Sequence, residues 1–111
     1  MQDVDRREAR DRIQQLIDRI AWLRATGPNP FDYYQWADEV WFVCTDIFGE
    51  ESEEVRRLFQ AVGQRGRTLD QRGIGENMTL GLHGAWGIWA RLERGEAVLR
   101  ELVRQLEGAA A

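Results

Sequence analysis

Between Met78 and Leu106, apolar residues return at alternating four- and three-residue steps: Met78, Leu82, Ala85, Trp89, Leu92, Leu99, Val103 and Leu106, with only Glu96 interrupting. Positions so spaced share one face only on a helix, and the two-residue alternation of a strand appears nowhere in the chain. The spacing predicts a helix capped by Asn77 and running to about Leu106. A seam of nearly 30 residues needs other amphipathic segments to cover it. The chain can therefore only be a helical assembly.

Three further segments supply that cover. Ile13, Leu16, Ile17, Ile20 and Leu23 follow helical spacing inside a stretch otherwise rich in Asp and Arg, and Gly27-Pro28 stops it. This predicts a first helix over about residues 4–25. Asn29 is a cap candidate before Pro30, where a missing N–H costs nothing. A second helix then runs to Phe48, with Ala37, Val40, Trp41, Cys44, Ile47 and Phe48 on one face and Gly49 as its C′ residue. Tyr33, Trp36 and Val43 widen that face until little is left polar, which predicts the central, most buried helix. Acidic residues open "EESEEVRRLFQAVG", and Val55, Leu58, Phe59 and Val62 give a short third helix. Residues 63–77, rich in Arg and Gly, read as a long loop, and 108–111 as a frayed tail. The expectation is an all-α, single-domain bundle of about four helices with one long C-terminal helix.

Size and charge narrow the function classes. A chain of 111 residues forms one domain and can bury about 65% of its unfolded surface. One cysteine excludes an internal disulfide framework and fits a reducing compartment. No apolar run approaches a membrane span, and "MQDVDRREARD" is too charged for a signal peptide, so a cytoplasmic location is expected. Net charge is −4 with no basic tract, which disfavours binding to duplex nucleic acid. All 15 basic residues are arginine, so any cationic site would use planar, bidentate donors. Most acidic residues lie within helical reach of arginines, as in Asp5–Glu8–Arg12, Glu53–Arg57 and Glu96–Arg100, the pattern of solvated helix faces.

Little catalytic machinery is legible. One His and one Cys cannot make a zinc site. Cys44, on an apolar face, reads as a small core residue. Gly73-Ile74-Gly75 is a fragment of GxGxxG that follows no strand, so no dinucleotide fold and no cofactor is expected. With no triad, metal set or cofactor motif, the chain reads as non-enzymatic. An anion site is open at Arg65, Arg67 and Arg72 with Gly73 and Gly75, whose backbone could approach a phosphate near a helix N-terminus. The same residues also suit a plain connector. Five tryptophans stand out: Trp41 and Trp89 fall in the core seams, while Trp22, Trp36 and Trp86 fall off them and are open to an interface or to stacking a base.

The stretch "LGLHGAWGIWA" places Gly81, Gly84 and Gly87 three apart within the predicted fourth helix. Each interior glycine costs a helix about 1 kcal/mol relative to alanine. On a helix they would trace a slanted bare groove, flanked by His83 and Trp86, that admits a ring or a second backbone closely. Close packing inside the chain and a two-fold subunit contact both fit. His83 fits a surface or interface position, or a ligand contact.

Helices 2 to 4 also carry a familiar pattern. Trp36 leads into Ile47-Phe48-Gly49-Glu50-Glu51-Ser52, then Val55 to Phe59, then Gly81-Leu82, Ala85, Gly87-Ile88 and Leu92. Over residues 31–106 this resembles the small helical module that accompanies TIR-type and other nucleotide-sensing effector domains in bacterial antiphage defence. The chain departs from that pattern at Glu51, before the serine, and in the Arg and Gly richness of 63–77. The resemblance implies a free-standing interaction module in defence or signalling, forming a homodimer or higher homo-oligomer and meeting an effector protein; it transfers no catalytic residue. The alternative is a small phage-type sponge or sensor, holding a nucleotide-derived signal through Arg65, Arg67 and Arg72 with Trp86 or Trp36 stacking a base.

Overall fold

A computed structural model describes residues 3–26, 30–62, 83–84 and 87–108. They form four helices: α1 (Asp3–Ala25), α2 (Pro30–Phe48), α3 (Glu53–Val62) and α4 (Ile88–Gly108). α1 packs on α2 and α4, and α3 packs on the same two, so the helices close a ring around one core. Ion pairs set the directions. Arg12 meets Asp46 at 2.8 Å and Arg19 meets Glu39, so α1 and α2 are antiparallel. Arg10 meets Glu107 at 2.9 Å and Arg24 meets Glu96 at 3.0 Å, which makes α4 antiparallel to α1. The architecture is an all-α, up-and-down bundle ending in a long helix.

The predicted helices follow their apolar stripes. Ile13, Leu16, Ile17, Ile20 and Leu23 of α1 are all buried, in one core cluster with Leu92, Leu99, Val103 and Leu106 of α4. Gly49 terminates α2 at φ +99°, its N–H donating to the Thr45 carbonyl at 2.9 Å, as a C′ glycine should. Ser52 opens α3: its Oγ accepts from the Val55 N–H at 3.2 Å and its carbonyl from the Arg56 N–H at 3.1 Å. Asn29 lies outside the described residues.

Three expectations need correction. The fourth helix does not extend unbroken from Asn77, because His83 and Gly84 are non-helical and α4 begins at Ile88. Gly84 has φ +94°, a conformation that no right-handed helix contains. The Gly87 N–H donates to the Gly84 carbonyl at 3.1 Å, and the Gly87 carbonyl accepts from the Arg91 N–H at 3.0 Å. Gly87 is therefore the N-cap of α4, and these glycines shape the approach to the helix instead of a groove along it. Met78, Leu82 and Ala85 of the predicted seam lie outside the described residues.

The second correction concerns α2, which is not the most enclosed helix. Phe31 and Phe42 on its outer side stand in solvent, and fewer of its residues are buried than of α4's. The third concerns arginine pairing. Glu96–Arg100 forms as expected at 2.8 Å, but Arg12 reaches α2, Glu53 pairs with Arg56 at 3.2 Å, and Arg57 reaches Glu101 of α4 at 3.7 Å. Such half-exposed pairs contribute about 0–1 kcal/mol each. Their consequence here is register between helices.

Close approach does occur, at a glycine inside α4. A Cβ built on Gly95 would lie 2.8 Å from Val62 Cγ1 and 3.3 Å from Trp36 Cη2. The bare backbone there lets α3 and the α2 indole seat directly on α4.

Candidate functional site

Two places in the bundle are chemically unusual. The first is the C-terminal end of α3, whose last carbonyls find no donors within their own helix. α4 and α2 supply them. Arg94 Nε donates to the Ala61 carbonyl at 2.7 Å, Arg91 Nη1 to the Val62 carbonyl at 2.9 Å, and the Tyr33 hydroxyl to the same Val62 oxygen at 3.2 Å. Arg91 is only 2% exposed, and its guanidinium lies 6.0 Å from the Tyr33 ring centroid. Its charge faces the negative end of the α3 dipole and the π-face of the ring, and both oppose the cost of burying it. Burial pushes the Tyr33 hydroxyl up to about 12, against the opposing pull of Arg91. This junction fixes three helices together and reads as structural.

The second place is the outer face of α2. Phe31 is 69% exposed and Phe42 is 65% exposed, with Gln35 and Asp38 exposed between them. Steps of four, three and four residues put these side chains on one line along the helix. The opposite face is core: Tyr33, Trp36, Val40 and Cys44 are buried. Trp41 is half-buried beside the line and meets Phe42 edge to face, with centroids 6.0 Å apart and planes at 88°. On the α1 side, Glu39 and Asp46 are held by Arg19 and Arg12. Trp22 of α1 is also exposed, at 51%.

The tryptophans therefore sort differently from the seams. Trp36 is fully buried, its Nε1–H donating to the Leu16 carbonyl at 3.0 Å, so it cannot stack a base. Trp41 and Trp89, placed by spacing in the core, are only half-buried. Trp22 is exposed, as its position off the seam suggested.

Of the interface candidates, His83 and Gly84 are exposed and Gly87 is buried at the start of α4, while Gly81 and Trp86 lie outside the described residues. The anion-site candidates Arg65, Arg67, Arg72, Gly73 and Gly75 lie outside them too. Cys44 is buried in the core, and burial pushes its thiol up to about 12, the opposite of what a nucleophile needs. Among the described residues no helix is long and apolar enough to cross a membrane, and no group of three metal-ligating side chains converges.

Sequence reasoning missed Phe31 and Phe42 because both belong to a helix whose apolar residues run around most of its circumference. It missed Arg91 because arginine is ordinarily exposed. The available signal was phase: Arg91 lies three residues after Ile88 and four before Gly95, on the inward stripe.

The fold and the exposed face define a small up-and-down helical bundle with one solvated aromatic helix surface. No family model, no curated protein and no solved structure matches the chain.

Proposed function

We propose that this chain is a non-enzymatic interaction module of the cytoplasm that docks a protein on the outer face of α2. The setting in bacterial antiphage defence or signalling comes from the resemblance over residues 31–106. An effector protein and a second copy of the chain are the partners that reading admits.

The observation that carries it is the pair Phe31 and Phe42, both about two-thirds exposed on one helix face. Burying a phenylalanine side chain stabilises by about 1.5–3 kcal/mol. Two solvated rings on one line are thus a standing source of binding energy, about 16 Å apart along the axis at 1.5 Å per residue. Trp41, already packed against Phe42, lowers the ordering cost of that anchor. Aromatic anchors flanked by polar residues are the usual anatomy of a protein-binding patch.

Photo-crosslinking of the full chain in cells tests the proposal. A benzophenone amino acid in place of Gln35, between the two rings, should give a discrete protein adduct. The same probe in place of Arg104, exposed on α4, should give none. Equal labelling from both positions, or none from position 35, would refute docking at this face.

A further inference from the structure

Among the described residues the one charged side chain that is buried, Arg91, sits where α3 meets α4. With Arg94 and Tyr33 it holds the last two carbonyls of α3. This clasp is polar. When it opens, water hydrates both carbonyls, the phenol and the guanidinium, which relieves the cost of burying a charge. Parting an apolar contact brings no such relief. The rest of α3 is lightly held. It is the shortest of the four helices, and ten residues do not persist as a helix alone in water. Its buried face is Val55, Leu58, Ala61 and Val62, against eight buried residues on α4. Two further polar ties to α4 are long, Arg57 to Glu101 at 3.7 Å and Gln105 to Glu54 at 3.4 Å.

The other three helices are joined without it. Arg12–Asp46 and Arg19–Glu39 tie α1 to α2, Arg10–Glu107 and Arg24–Glu96 tie α1 to α4, and none of these eight residues belongs to α3. We propose that α3 is a strap: it undocks as one unit from α2 and α4 by release of the Arg91–Arg94–Tyr33 clasp, while α1, α2 and α4 stay packed. Undocking withdraws Val62 from the bare backbone at Gly95 and uncovers the edge of the Trp36 indole beside it. Trp36 keeps its hydrogen bond to the Leu16 carbonyl of α1, so the floor of the opened slot remains formed. The turn from Gly49 to Ser52 is the hinge, closed by the Ser52 N–H donating to the Gly49 carbonyl at 3.2 Å. The strap uses neither Phe31 nor Phe42 and stands apart from docking on the outer face of α2.

Residue-resolved hydrogen exchange of the full chain tests the strap, under conditions where reclosing outruns exchange. The amides of Leu58, Phe59, Ala61 and Val62 should exchange through one shared opening. That opening should be about tenfold or more commoner than the one exposing Ile13 and Ile17 of α1 or Leu99 and Leu102 of α4, and should respond less to added urea. Linkage separates the two events. Ala21→Gly, at an exposed position inside α1, should speed exchange of the α1 and α4 amides about fivefold and leave those of α3 unchanged. Tyr33→Phe and Arg91→Ala should speed α3 exchange, about fivefold and about tenfold or more, since the donors they remove act only while the strap is closed. Either variant suffices if the other misfolds. One common rate and one urea dependence for all four helices would overturn the proposal, as would an Ala21→Gly effect of equal size on α3. Exchange graded residue by residue from one end of α3 would reduce the opening to fraying. If α3 opens as a unit but is indifferent to both clasp variants, the clasp is not its latch.

Discussion

Replacing Gly95 by alanine sets two calculable effects against each other. Alanine is favoured over glycine in a helix interior by about 1 kcal/mol. The added Cβ, however, would sit 2.8 Å from Val62 Cγ1, about 0.6 Å short of ordinary contact, and tight against Trp36 at 3.3 Å. Neither neighbour yields easily. Val62 is β-branched, hence stiff at χ1, and its carbonyl is held by Arg91 and Tyr33. The Trp36 indole is held by its hydrogen bond to Leu16. Overpacking of this kind costs about 1–3 kcal/mol, so after the propensity gain the net effect of Gly95→Ala should be a loss of up to about 2 kcal/mol. Urea unfolding followed by circular dichroism should show a lower midpoint at unchanged slope, and the melting temperature should fall by up to roughly 10 °C. Val62→Ala removes the offending methyl at a cost of about 1.6 kcal/mol for two buried carbons. In that background Gly95→Ala should be neutral or stabilising, a coupling equal to the overpacking relieved, about 1–3 kcal/mol. Stabilisation of the native chain by the full helix-propensity gain would refute the close approach of α3 and α4.

Other consequences can be read independently. Arg91→Ala removes one of the two donors that the Val62 carbonyl has among the described residues, weakens the α3 cap and empties a filled site; a loss of about 2–4 kcal/mol in urea unfolding is expected, of the size seen for buried polar networks. The Tyr33 hydroxyl, raised from 10 to about 12 by burial, contributes stability that is complete below 10 and is lost as pH rises toward 12; Tyr33→Phe should remove part of the alkaline loss in pH-dependent melts. Glu96 is lowered by its hydrogen bond with Arg100, and then by Arg24, so its contribution is present above 4.5 and fades as pH falls through its lowered value. Glu96→Gln should accordingly flatten the acid limb of the stability curve, and an unchanged limb would remove Glu96 from that role. Cys44 should react with a thiol reagent only at the rate of core opening, so labelling should accelerate in step with destabilising variants such as Gly95→Ala.

Helix positions were legible wherever an apolar stripe met a stop signal. Ile13 to Leu23 followed by Gly27-Pro28, and Val40 to Phe48 followed by Gly49, define α1 and α2 because periodicity and backbone chemistry agree there. They disagree before α4. The stripe through Trp89 and Leu92 continues upstream into residues of helical spacing, yet Gly84 lies at φ +94° and Gly87 is the cap. Spacing alone cannot say which of several glycines departs from the helix, because each is compatible with it at a modest cost. Gly95 posed the converse problem. It carries no turn signal, and the reason for it lies on two other helices, at Val62 and Trp36.

The same distinction explains why the outer face of α2 had to be seen in three dimensions. Periodicity identifies an amphipathic face only when the opposite face is polar. On α2, aromatic residues occupy both sides, so the stripe Tyr33–Trp36–Val40–Cys44 and the stripe Phe31–Gln35–Asp38–Phe42 compete as candidates for the core. The folded chain resolves the competition through Trp36, whose indole N–H finds the Leu16 carbonyl and whose ring fills the space above Gly95. Only one side of α2 can make those contacts. Phe31 and Phe42 are thereby committed to solvent by the packing of a residue on the far side of the same helix. A substitution such as Trp36→Leu should loosen that choice, since leucine offers neither the donor nor the volume. Its destabilisation, at least 2 kcal/mol by the usual cost of core truncation, should come with increased binding of a hydrophobic dye. A variant that lost stability with the dye signal unchanged would show that the outward stripe is fixed by its own residues, independently of Trp36.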